Sequence, residues 1–135
     1  MDGMNRYMLD TNTVSHLLKQ HPVVAKRVEA VPVAFLCVSA ITAGELLFGL
    51  VKRPDAERLG LVVREFLRRV DALPWDNTIA QYYGMVRAAM EPQGRILAPL
   101  DLLTATHALG IGAVLVTNDQ AFGQVPDLAI EDWTA

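Results

Sequence analysis

Four acidic residues of this chain could do chemistry together: Asp10, Glu45, Asp101 and Asp119. Tyr7-Met8-Leu9 precedes the first, Leu46-Leu47 follows the second, and Leu102-Leu103 follows the third. Asp119 comes just after the apolar run 113–116. Carboxylates set among core-forming residues are usually paired, hydrogen-bonded or bound to metal. A cluster of them repels itself unless it is protonated or bridged by cations. Hard oxygen donors suit Mg²⁺ or Mn²⁺, and no His/Cys set has zinc spacing. Cations held in this way activate water and stabilise the leaving oxygen in phosphodiester hydrolysis.

Each acid also has an ordinary reading. Asp10-Thr11-Asn12 suits a turn and a helix cap. Thr42-x-x-Glu45 is the signature of a capping box. Asp101 suits the positive end of a helix dipole. Asn118-Asp119 suits a turn. The chemical reading therefore depends on whether the fold brings the four to one place.

The elements that would do so are legible from apolar spacing. Strands are predicted over 6–9, 35–38, 72–75, 113–116 and 128–130. The last three residues of the 72–75 strand include Pro74, which points to a sheet edge. Helices are predicted over 13–19, about 22–30, about 42–52, from 54–55 to about 67, 77–90 and 100–109, the last stopped by Gly110. The runs 35–38 and 113–116 are apolar throughout, as in strands buried on both faces. Strands alternating with helices indicate an α/β layer fold with a mainly parallel sheet. In such a sheet Asp10 and Asp119 follow strands at the carboxyl edge, where ligands bind. Glu45 and Asp101 lie near the starts of helices that could reach the same rim.

The totals narrow the classes. A chain of 135 residues with no internal repeat or linker reads as one domain, with residues 1–5 as a loose extension. At 52% hydrophobic and 20% charged it is not a disordered chain. The formal net charge of −3 excludes a globally basic nucleic-acid binder. Neutralising four of the 15 acids would leave 11 against the 12 Lys and Arg. The single cysteine, Cys37, forms no internal disulfide and points to a reducing, cytoplasmic setting. No secretory signal or membrane span is apparent. Glu65 and Arg69 stand at i,i+4 on a helix that also carries Arg64 and Arg68, which reads as a solvated, salt-bridged face. His107 reads as structural.

The ordered set Met8-Leu9-Asp10-Thr11-Asn12, Val38-Ser39-Ala40-Ile41-Thr42 with Glu45-Leu46 and Gly49, Pro99-Leu100-Asp101-Leu102-Leu103 with Ala105 and His107-Ala108, Val116-Thr117-Asn118-Asp119 and Ile130-Glu131-Asp132-Trp133 resembles PIN-domain proteins. More narrowly, it resembles the VapC toxins of type II toxin–antitoxin systems. The resemblance implies a three-layer α/β sandwich and a Mg²⁺-dependent endoribonuclease, with Mn²⁺ as substitute. It maps the catalytic and metal-binding quartet to Asp10, Glu45, Asp101 and Asp119. Thr11, Asn12, Thr117 and Asn118 would contact water or phosphate. It also implies a VapB-type antitoxin, an RNA substrate such as tRNA or rRNA, and a homodimer. Thr104 and Thr106 stand where the family pattern is often apolar or alanine. Two other readings stay open. One is a non-catalytic partner-binding module on the same fold. The other is a Mg²⁺-dependent phosphohydrolase with an aspartate nucleophile, which would need a second aspartate at the position of Asn12.

Overall fold

A central sheet organises the computed structural model, which describes residues 5–135. Apart from Asn5, the expected extension over residues 1–5 lies outside them. The strands are β1 (Tyr7–Leu9), β2 (Leu36–Ser39), β3 (Asp71–Leu73), β4 (Val114–Val116) and β5 (Ile130–Glu131). Their order is β3-β2-β1-β4-β5, and every pairing is parallel. The helices are α1 (Thr11–Leu18), α2 (Pro22–Glu29), α3 (Ala40–Val51), α4 (Glu57–Arg69), α5 (Asn77–Met90) and α6 (Pro99–Ile111).

Alternation along the strands divides the core in two. Met8, Cys37 and Leu115 pack with Val86 and Met90 of α5 and with Leu102, Ala105 and Ala108 of α6. Leu9, Leu36, Val38 and Val116 face the other way, onto Val14 of α1, Leu46 and Leu50 of α3, and Val63 and Phe66 of α4. Successive strand residues point to opposite faces, so a strand covered on both sides must be apolar throughout. The result is a three-layer sandwich. Within this frame Cys37 is buried and unbonded, and burial pushes its thiol up to about 11. No helix among the described residues is long and apolar enough to cross a membrane.

Several element ends differ from expectation for local reasons. Helix α1 starts at Thr11 because Asp10 caps it, and α3 starts at Ala40 because Ser39 accepts from the Ile41 N–H. Strand β3 ends at Leu73, and the Trp75 indole N–H beyond it donates to the Leu103 carbonyl at 2.9 Å. The last strand is Ile130–Glu131 instead of 128–130. The turn before it places Asp127 at φ 65° and keeps the Leu128 N–H on the Val125 carbonyl.

Gly110 does not stop α6. It lies inside the helix, where an added Cβ would come within 2.6 Å of Ile79 Cδ1 on α5. The stop is Gly112, in the left-handed region at φ 69°. At the C-terminus, Trp133 stacks against Tyr7 with ring centroids 5.2 Å apart, and Arg27 lies over its ring. Glu131 accepts from the Trp133 indole at 2.9 Å.

Two glycines should respond oppositely to alanine. Gly84 is exposed in mid-α5 with open space around it, whereas Gly112 needs its positive φ. Gly84→Ala is expected to raise unfolding free energy by about 0.5–1 kcal/mol. Gly112→Ala should lower it by about 1–2 kcal/mol. Urea titration of both variants measures the two signs.

Candidate active site

The site lies where the chain changes direction across the sheet. From β1 the strand order runs to β2 and β3 on one side and to β4 and β5 on the other. Beyond the carboxyl ends of strands, such a switch point leaves a crevice. Here one acceptor ties its two sides together. The Val116 carbonyl takes the Asp10 N–H at 3.1 Å and the Thr13 hydroxyl at 2.9 Å. The end of β1 and the first turn of α1 are thereby fixed to the end of β4.

All four singled-out acids line one cavity of about 100 Å³ at this point, together with Thr11, Asn12, Thr104 and Phe122. Asp10 is buried, 5% exposed, and caps α1 through Oδ1, which accepts from the Thr13 N–H at 2.8 Å. Its cap role and its place in the cavity coexist. Asp119 is similar. It caps the short 3₁₀ segment Gln120–Gln124 by accepting from the Ala121 N–H at 2.9 Å, while its own N–H is held by Thr117 Oγ1 at 3.0 Å.

Glu45 is not part of a capping box. Ser39 is the cap of α3, so Thr42 is already inside the helix and Glu45 lies in the second turn. Its Oε1 accepts the Thr11 hydroxyl at 2.6 Å. That bond ties α1 to α3 and aims the carboxylate at the rim. Asp101 occupies the first turn of α6, whose N-terminus has no side-chain cap, so its charge also answers the helix dipole. Burial holds the Asp101 carboxyl above the ordinary 3.8, helped by the charges of Asp119, Glu45 and Asp10. All three other acids thus act electrostatically on this one.

The polar residues expected beside the quartet divide. Thr11 and Asn12 line the cavity. Thr117 does not; it is buried and spent on the Asp119 N–H. Asn118 is exposed outside the lining. Two lining residues were not anticipated. Thr104 follows Asp101 by one helical turn, a spacing that could have marked it, and Phe122 walls the cavity from the 3₁₀ segment. His107 lies outside the lining. Its Nδ1 is 2.7 Å from Ser39 Oγ, a buried contact joining α6 to the end of β2, and burial lowers its pKa from 6.5. On α4 the ion pair is Glu65–Arg68 at 2.8 Å, not Glu65–Arg69.

The donor set fits a hard divalent cation: every charged group on the cavity is a carboxylate, and the neutral polar ones are hydroxyl or amide. Among the described residues, no three His, Cys, Asp or Glu side chains form a ready-made cage. Magnesium does not require one, because it is usually bound through one or two carboxylates and keeps several waters.

Comparison with known proteins places the chain in context. The PIN domain family model matches residues 7–128. A Shigella flexneri protein described as a tRNA(fMet)-specific endonuclease VapC is 34% identical, and the match covers 97% of this chain and all of that one. Ribonuclease VapC2 of Haemophilus influenzae strain Rd is also 34% identical, over 96% of this chain and 99% of its own. Among solved structures, DNA-bound VapBC from Salmonella typhimurium superposes with a TM-score of 0.89 at 35% identity, covering 96% of this chain and 99% of that one. VapBC2 from Rickettsia felis, bound to promoter DNA, superposes with a TM-score of 0.86 at 32% identity, covering 94% and 98%.

The raised Asp101 pKa carries a stability consequence. The folded chain binds this proton more tightly than the unfolded chain. The stabilisation is therefore complete below about 3.8 and lost as pH rises through the raised folded value. At neutral pH the metal-free protein bears the repulsion in full. Asp101→Asn should raise its melting temperature at pH 7, and the gain should shrink as the buffer is taken toward pH 4. Thermal melts in EDTA across that range test this.

Proposed function

This chain belongs to the PIN-domain family, and from that premise we propose that it is a VapC-type toxin, an endoribonuclease paired with an antitoxin. It hydrolyses phosphodiester bonds within RNA. One observation carries the reading. Four carboxylates from four separate segments meet in one cavity at the switch point of a parallel sheet. The chain around them matches a VapC ribonuclease over 96% of its length.

Asp10, Glu45, Asp101 and Asp119 would hold the cation, which is Mg²⁺ with Mn²⁺ as substitute. When bound, it neutralises the carboxylates, polarises water and stabilises the phosphate oxygens. The remaining work belongs to the chain. The Thr11 hydroxyl fixes one oxygen of Glu45. The Thr13 N–H fixes Asp10, and the Ala121 N–H fixes Asp119. Three of the four acids are therefore oriented by a donor that leaves the second oxygen to a ligand, and Asp101 has neither oxygen committed among the described residues. Asn12, exposed on the lining, can donate its amide to an entering phosphodiester. Phe122 supplies an apolar wall that limits water in the cavity.

Partners follow from the surface next to the site. A cleft runs from Thr11 and Glu45 to Leu50 and Arg53. It shares those last two residues with an apolar groove lined by Leu47, Val51 and Leu61, which are 40%, 78% and 72% exposed. Exposed apolar surface of this kind serves protein partners. The antitoxin lies along this cleft and can present a basic side chain to the carboxylates. The exposed Met85, Ile96 and Leu100 provide apolar surface for a homodimer. The protein acts in the cytoplasm on structured RNA such as tRNA or rRNA.

The decisive experiment expresses the chain with and without its genomic neighbour and maps cellular RNA 5′ ends. Discrete new ends are expected only without the neighbour, and they should vanish in Asp10→Asn and Asp101→Asn. In vitro, each substitution should slow cleavage by about a thousandfold, the equivalent of ~4 kcal/mol of lost charge stabilisation. EDTA should abolish cleavage, and Mg²⁺ or Mn²⁺ should restore it. RNA that stays intact with either cation, together with undiminished toxicity of Asp10→Asn, would replace this reading with a binding module.

A further inference from the structure

Thr104 stands apart from the other threonines around the cavity. The Thr11 hydroxyl is committed to Glu45, and that of Thr13 to the Val116 carbonyl. Thr117 accepts from the Asp119 N–H, and Thr106 donates back to the Leu102 carbonyl at 2.9 Å. Thr104 is 3% exposed and lines the cavity, and its hydroxyl is bonded to none of the four acids or to the donors that hold them. A hydroxyl placed on the lining is matched by something the cavity receives.

The chemistry of the lining says what that is. Ionised carboxylates only accept hydrogen bonds. The Thr11 proton is spent, and Asn12 is exposed at the cavity mouth. At the buried floor, Thr104 offers a hydroxyl that is not spent on the acids, able to donate and accept at once. Its position one turn after Asp101 puts both side chains on the same face of α6. A cavity of about 100 Å³ has room for several waters. A phosphodiester entering past the exposed Asn12 meets the half-buried Glu45, Asp101 and Asp119 before the buried Asp10 and Thr104. The floor belongs to water.

We infer that Thr104 is a positioning residue for hydrolysis: its hydroxyl holds water at the cavity floor beside the cation. The inference rests on the ribonuclease reading and adds an outer contact to it. Partners of this kind typically contribute 10- to 100-fold to metal affinity or activity.

The test uses the full chain freed of antitoxin, as wild type, Thr104→Val, Thr104→Ala and Thr104→Ser, each checked for folding by thermal melting. Valine keeps the shape and removes the hydroxyl; alanine removes it without adding bulk; serine keeps it. Mn²⁺ binding is titrated by electron paramagnetic resonance with no RNA present, and cleavage is resolved into kcat and KM. Valine and alanine should each weaken Mn²⁺ binding and lower kcat by about tenfold, leave KM for RNA unchanged, and be rescued by serine. Wild-type Mn²⁺ affinity and kcat in the valine or alanine variant would overturn the assignment. So would a rise in KM at constant kcat, which would place the hydroxyl on RNA, or a serine variant as impaired as valine, which would make the role one of packing. A wild-type chain that neither binds Mn²⁺ nor cleaves RNA would instead remove the ribonuclease reading, and this inference with it.

Discussion

The carbonyl of Val116 is the point on which the site depends. It accepts the Asp10 N–H and the Thr13 hydroxyl, joining residues more than a hundred positions apart in sequence. Because β1 and β4 are adjacent and parallel, this one acceptor sets the end of the first strand level with the end of the fourth. Asp10 and Asp119 then share a rim, and α3 and α6 bring Glu45 and Asp101 to it. None of these acids is near another in the chain. Their meeting is a property of strand order.

That meeting is unfavourable by itself. Desolvation and three like charges raise the Asp101 carboxyl, and Asp10 is almost fully buried. The fold meets this cost with directed donors: the Thr13 and Ala121 N–H groups and the Thr11 hydroxyl each hold one carboxylate oxygen. Sites that are preorganised for a charged ligand commonly sacrifice stability in its absence. The two apolar layers, which run the length of the strands, supply the rigidity that keeps the acids from relaxing apart.

Much of this was legible in the sequence. Continuous apolar runs announced strands covered on both faces, and the alternation with helices announced a parallel sheet. The quartet stood out because carboxylates seldom sit among core residues. The errors came where local chemistry competes with pattern. Thr42-x-x-Glu45 imitates a capping box, but Ser39, three residues earlier, has already capped the helix. Gly110 looks like a helix stop, yet its missing Cβ serves the close approach of α5, and the stop is the positive-φ Gly112. Thr117 and Asn118 looked equivalent to Thr11 and Asn12. The three-residue advance from β4 to Asp119 turns one inward as a bond to backbone and the other out to water. Thr104 carried two sequence signals, its spacing from Asp101 and its place where the family pattern is often apolar or alanine, but neither showed that it lines the cavity.

Strand order has a further consequence, for biosynthesis. The central strand β1 is made before the other strands, but one of its two neighbours, β4, is made only after β2, β3 and helices α1 to α6. Until residues 114–116 leave the ribosome, Asp10 lacks the carbonyl that fixes its backbone, and the fourth acid does not yet exist. Trp133, which closes over Tyr7, comes later still. Pairings between distant segments form only after the chain between them is available. A polypeptide interrupted before Val116 therefore lacks both the anchor and Asp119, so translation itself delays the acidic centre until β4 and the residues just after it have been made.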